Sequence, residues 1–80
     1  MAEQIKLEAG VEIDGTLVKT LAMREPTVGD QIAAQEVKGS PAAQEVALVA
    51  NLCEIAPADV QRLTLRDYAR VQEALRGFTE

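Results

Sequence analysis

Thirteen carboxylates, eight basic side chains and one thiol make up the reactive inventory of this chain, and histidine is absent. Imidazole acid–base catalysis, histidine-based triads and histidine-ligated metal sites are therefore excluded. Cys53 falls mid-pattern in an apolar stretch, with no activating base or cation at a distinctive spacing, and reads as a small core residue. No two carboxylates are spaced as a catalytic pair. Asp14 is explained by a turn, Asp30 and Asp67 by helix caps, and Glu8 and Glu12 by the polar face of a hairpin. Gly29-Asp30-Gln31 lacks the glycine and lysine partners of a phosphate-binding loop. The expectation is a non-enzyme with no catalytic residue, cofactor or metal.

Three features are suited to binding. Arg62, Arg66 and Arg70 recur every four residues, which makes a basic ridge beside the last helix if the short segment at Leu63 stays helical, and such a ridge fits an acidic partner segment. The same ridge also reads as a solvated face balanced by Asp59, Asp67 and Glu73, worth about 0.2–0.5 kcal/mol per pair. Arg24 sits between a strand and a proline, demanded by neither turn nor cap chemistry. It either fixes the corner or belongs to a binding edge. Leu48, Leu52 and Ile55 form an apolar stripe beside that of Val46, Val49, Ala50 and Cys53. The stripe either meets a partner helix or packs on the hairpin.

The elements that must position these residues follow from periodicity. Eighty residues make a single domain, 1–80, whose core is short of aromatics, with only Tyr68 and Phe78. Ile5, Leu7, Ala9, Val11 and Ile13 alternate with polar residues or glycine as a half-buried strand does. Asp14-Gly15 is a turn signal, and Leu17, Leu21 and Met23 continue the alternation, giving a hairpin over residues 1–25. A two-residue turn would leave those three side chains opposite Glu12, Glu8 and Lys6. A three-residue loop, with Gly15 left-handed, pairs Val11 with Leu17, Leu7 with Leu21 and Ile5 with Met23, and is preferred because it keeps one apolar face.

Pro26 stops the ladder, and Thr27 with Asp30 caps a helix over 27–38. Gly39-Ser40-Pro41 restarts a helix over 42–54, with a short helical turn near 57–62. Thr64 and Asp67 open a last helix over 65–76, which Gly77 is placed to end. The fold class is α+β: an N-terminal β-hairpin followed by three to four helices packed on its apolar face. The charge of −5 disfavours a phosphate-backbone partner, so no nucleic acid is expected. The N-terminus lacks signal-peptide character, and no apolar run reaches the ~20 residues of a membrane span.

Order and spacing of three motifs resemble the short tail assembly chaperones of long-tailed phages and prophages, the group typified by phage Mu. They are the Asp-Gly hairpin of residues 5–17, the junction Leu21-Ala22-Met23-Arg24-Glu25-Pro26-Thr27-Val28-Gly29-Asp30, and a C-terminal pattern of Val60, Leu63, Leu65, Asp67, Tyr68 and Phe78. Met23 stands where the family has leucine, and Ala9-Gly10 where Lys/Arg-Pro is usual. The resemblance implies a chaperone that holds the tape measure protein soluble in the host bacterial cytoplasm and is absent from the mature virion. It also implies a frameshifted longer form as a further partner. A homo-oligomer is compatible with the hairpin edge. The alternatives are a small oligomeric structural tail or head-completion component and an antitoxin-like regulator.

Overall fold

The computed structural model describes residues 2–80. Two antiparallel strands, β1 (Glu3–Ile13) and β2 (Thr16–Met23), precede four helices: α1 (Val28–Gln35), α2 (Pro41–Cys53), α3 (Pro57–Gln61) and α4 (Leu65–Thr79). α4 packs along β1, while α2 is wrapped by α1, α3 and β2. The hairpin gives Ile5, Leu7, Val11, Leu21 and Met23 to the core, and the helices give chiefly Val49, Leu52, Val60, Leu63 and Val71. Tyr68 and Phe78 pack only partly against this aliphatic centre.

The hairpin register differs from the expected one. Asp14 and Gly15 both take positive φ, 52° and 79°, and Ile13 pairs with Thr16 across a two-residue turn. Two left-handed residues match the natural twist of a tight hairpin, and local turn chemistry wins. The face conflict is solved elsewhere. Between the pairs Val11–Val18 and Lys6–Thr20, β1 has four residues, 7–10, where β2 has only Lys19. This excess shifts the register by an odd number, so Ile5 faces Leu21 and Glu3 faces Met23. Leu21 and Met23 reach the core despite the short turn. Leu17, opposite Glu12, is left outside at 56% exposure. The expected pairs Val11–Leu17, Leu7–Leu21 and Ile5–Met23 are absent.

The helix starts follow their caps. The Asp30 amide donates to Thr27 Oγ1 at 3.2 Å, and the Thr27 amide donates to the Asp30 carboxylate at 2.9 Å. Ser40 accepts from the Ala43 amide at 3.2 Å, with Pro41 as the first residue of α2. Helix ends depart from expectation. α1 stops at Gln35 rather than near 38: it buries only Ala34, so little packing holds a further turn. α4 runs through Gly77 to Thr79, because Phe78 packs against the core beyond the glycine.

Candidate partner-binding surfaces

The corner between β2 and α1 is built around Asp30. Arg24 donates both guanidinium arms to its carboxylate, at 2.7 and 2.9 Å, and Asn51 Nδ2 donates at 3.1 Å. The Arg24 amide donates to the Leu52 carbonyl at 3.1 Å, tying the end of β2 to α2. The Arg24 guanidinium, followed by the Thr27 amide, holds the Asp30 carboxyl well below the usual carboxylate range. Arg24 thus sits in a fixed, bidentate pair, with part of its side chain still in solvent.

The basic ridge of Arg62, Arg66 and Arg70 lies against the outer edge of β1. Arg62 donates to the Glu12 carbonyl at 2.7 Å and pairs with Asp59. Arg70 donates to the Lys6 carbonyl at 3.1 Å, and Arg66 to the Glu8 carboxylate at 3.2 Å. Between them lies Asp67, fully buried, whose two oxygens accept from three successive amides: Glu8 at 2.7 Å, Ala9 at 3.0 Å and Gly10 at 3.1 Å. These amides belong to the excess residues of β1, which the ladder cannot satisfy. A carboxylate in that place removes the largest penalty of the distorted strand. Burial would raise the Asp67 carboxyl, but the three amides outweigh it and leave it below its ordinary value.

Asp67 has a role that capping alone does not reveal. Its own amide donates to Thr64 Oγ1 at 3.1 Å, as the cap requires, while its carboxylate leaves the helix for β1. Gly10 was the visible sign of this arrangement, since an isolated glycine inside a strand marks a bulge or a close approach. Its φ is +82°, and a Cβ there would stand 2.8 Å from the Val18 carbonyl oxygen. The residue at this departure from the family pattern is one the backbone requires.

The stripe of Leu48, Leu52 and Ile55 does not face solvent. Leu52 is 1% exposed in the core and Ile55 is half-buried against it, so neither offers a free face in this fold. The reason is that α2 has neighbours on three sides, which absorb an apolar surface that looked surplus. Leu48 is buried too, but its edge forms the floor of a cleft of about 440 Å³ with Pro26, Val28, Leu75 and Arg76. Val28 is 77% exposed beside it, and Ile32, one turn on along α1, is 52% exposed. Arg76 is solvent-exposed at the rim and has no ion pair among the described residues. Sequence reasoning missed this cleft, which assembles residues 26–31, 48 and 75–79 from three elements and a loop.

Little here suits covalent chemistry. Burial pushes the Cys53 thiol up to about 11, away from thiolate reactivity. Burial, then the Glu45 carboxylate that accepts from its hydroxyl at 2.6 Å, raises Tyr68 as well. Among the described residues no group of three or more Cys, Asp or Glu is placed to hold a metal ion, and no buried side-chain nitrogen or oxygen lacks a hydrogen-bond partner. No helix among them is long and apolar enough to cross a membrane. Residues 4–80 match the model of a family described as phage tail assembly chaperone proteins, E, or 41 or 14. Neither a curated protein nor a solved structure matches the chain.

Proposed function

This chain belongs to the phage tail assembly chaperone family, and on that premise we propose that it binds the tape measure protein and keeps it soluble while the tail is assembled. The carrying observation is a family match that spans nearly the whole chain, hairpin and helices together. The structure adds a physical means. Large apolar side chains on α1 stand in solvent beside an apolar cleft, which is how a small protein offers itself to an amphipathic segment. The role is non-catalytic, the protein acts in the host cytoplasm, and it leaves before the virion is complete. A longer frameshifted form would carry the same surface.

Co-expression with the cognate tape measure protein tests this. An affinity tag on this chain is expected to retain the tape measure protein from the soluble lysate. Recovery of the tagged chain alone, with the tape measure protein in the pellet, removes the proposal's support.

One observation favours a second reading, a small oligomeric structural component. The outer edge of β1 is occupied by Arg62, Asp67 and Arg70, whereas no such side chain meets the backbone of β2 among the described residues. An open strand can pair between copies. Mass spectrometry of purified virions separates the readings, since a structural component is present there and a chaperone is not.

A further inference from the structure

We infer that the cleft between α1, α2 and the end of α4 takes one amphipathic helix of the client, with an acidic residue flanking its apolar stripe and meeting Arg76. This rests on the chaperone reading and gives it a place and a chemistry. Pro26, Val28, Leu48 and Leu75 supply its apolar surface, with Thr27, Gln31 and Thr79 also in the lining, and Ile32 continues the same ridge of α1. Side chains at i and i+4 on a helix share one face, so Val28 and Ile32 extend the apolar surface beyond the cleft.

The secondary structure of the occupant follows from what the walls lack. They are the first turn of α1, the middle of α2, the last turn of α4 and the loop at Pro26, with neither β1 nor β2 among them, so no strand edge borders the cleft for pairing. A segment lying there must satisfy its own amides, and a helix does so. The cleft, at about 440 Å³, is of a size to receive side chains from one face of such a helix.

The charge of the occupant follows from the arginines. Arg24, Arg62, Arg66 and Arg70 each have a carboxylate partner in the chain. Arg76, at the cleft, has none among the described residues and keeps its guanidinium in solvent. A chain of net charge −5 repels acidic segments in general, so an unpaired arginine at an apolar cleft selects where one can land.

Co-purification of the cognate tape measure protein with tagged variants decides the matter. Val28→Asp places a carboxylate at an exposed position in the first turn of α1, where the helix dipole favours it, so the fold is retained. It is expected to lower retained client about tenfold, the loss of one well-buried aliphatic contact. Arg76→Glu is expected to lower it comparably at low salt and less at high salt. Lys19→Glu, the same charge change on the hairpin, is expected to leave it unchanged. Unfolding midpoints near wild type confirm that the variants are folded. If wild type and both cleft variants retain equal client, this inference fails while the chaperone reading stands. If wild type retains none, the chaperone reading fails and the inference goes with it. A wild-type dimer in sedimentation that Val28→Asp converts to monomer would also overturn it, giving the face to a second copy.

Discussion

Replacing Gly10 by alanine tests the distorted strand on which the hairpin register depends. The residue has φ +82°, a conformation that costs an ordinary L-residue about 1–2 kcal/mol. The new Cβ would also stand 2.8 Å from the Val18 carbonyl oxygen, 3.2 Å from Leu17 Cδ1 and 3.3 Å from Lys19 Cγ. The side chains can move, but the carbonyl is backbone and shifts only with β2. Overpacking of this kind adds about 1–3 kcal/mol, so the total is about 2–5 kcal/mol. For a domain of this size each kcal/mol lowers the midpoint by roughly 4–8 °C, and a loss of about 3 kcal/mol gives roughly 12–24 °C. Gly15→Ala is the matched control. Its φ is +79°, but nothing lies within 4 Å of a Cβ, so only the backbone strain of about 1–2 kcal/mol is expected. Gly77→Ala, inside α4 with open space around it, is expected to stabilise by about 0.5–1 kcal/mol. Thermal and urea unfolding of the three variants gives the order directly. Equal losses for Gly10→Ala and Gly15→Ala would refute the close approach of β1 to β2 at residue 10.

Three further outcomes follow from the same contacts. Asp67 has a lowered carboxyl in the folded chain, so the stabilisation it brings is complete above the ordinary carboxylate pKa of about 3.9 and is lost as pH falls through the folded value. Urea midpoints are expected to drop on acidification below about pH 4, and Asp67→Asn is expected to lower the neutral midpoint while flattening that acid limb; an unchanged limb counts against the amide contacts. Arg24→Met removes the bidentate pair, and the Asp30 carboxyl is expected to titrate closer to its ordinary value by NMR; if it does not move, the corner is held by Thr27 and Asn51 instead. Cys53 is expected to resist thiol reagents at pH 8 in the folded chain and react on unfolding, since its thiol is buried and pushed up to about 11. Prompt stoichiometric labelling of the native protein would contradict that burial.

The sequence was most readable where structure is local. Pro26, Thr27 and Asp30 announce the strand–helix corner, and Ser40-Pro41 announces α2, because a cap is a contact over three residues. The hairpin was harder, since turn chemistry and face alternation pointed to different registers. The structure satisfies both by distorting β1, and what stabilises the distortion is Asp67, 57–59 residues away in the chain. Alternation within a strand carries no record of so distant a carboxylate, although Gly10 marked the place. The arginines show the same limit. Four-residue spacing aligns Arg62 with Arg66 and Arg70 only if the chain stays helical at Leu63. Arg62 instead ends α3 and Thr64 is extended, so tertiary packing against β1 is what brings the three together. The apolar stripe of Leu48 and Leu52 was visible as a stripe, while the number of neighbours around α2 decided that it is core. The cleft at Val28 and Arg76 was hidden for a related reason: its residues are ordinary one by one and become a surface only when α1 and the end of α4 converge.

Aggregation of the client measures the central claim most directly. Denatured cognate tape measure protein is diluted into buffer with increasing amounts of this chain, and light scattering is followed. Scattering is expected to fall in proportion to added chain and to vanish near a fixed stoichiometry, with the client remaining in the supernatant as a complex. Scattering that is indifferent to this chain, under conditions where the chain itself is folded, would contradict the chaperone function.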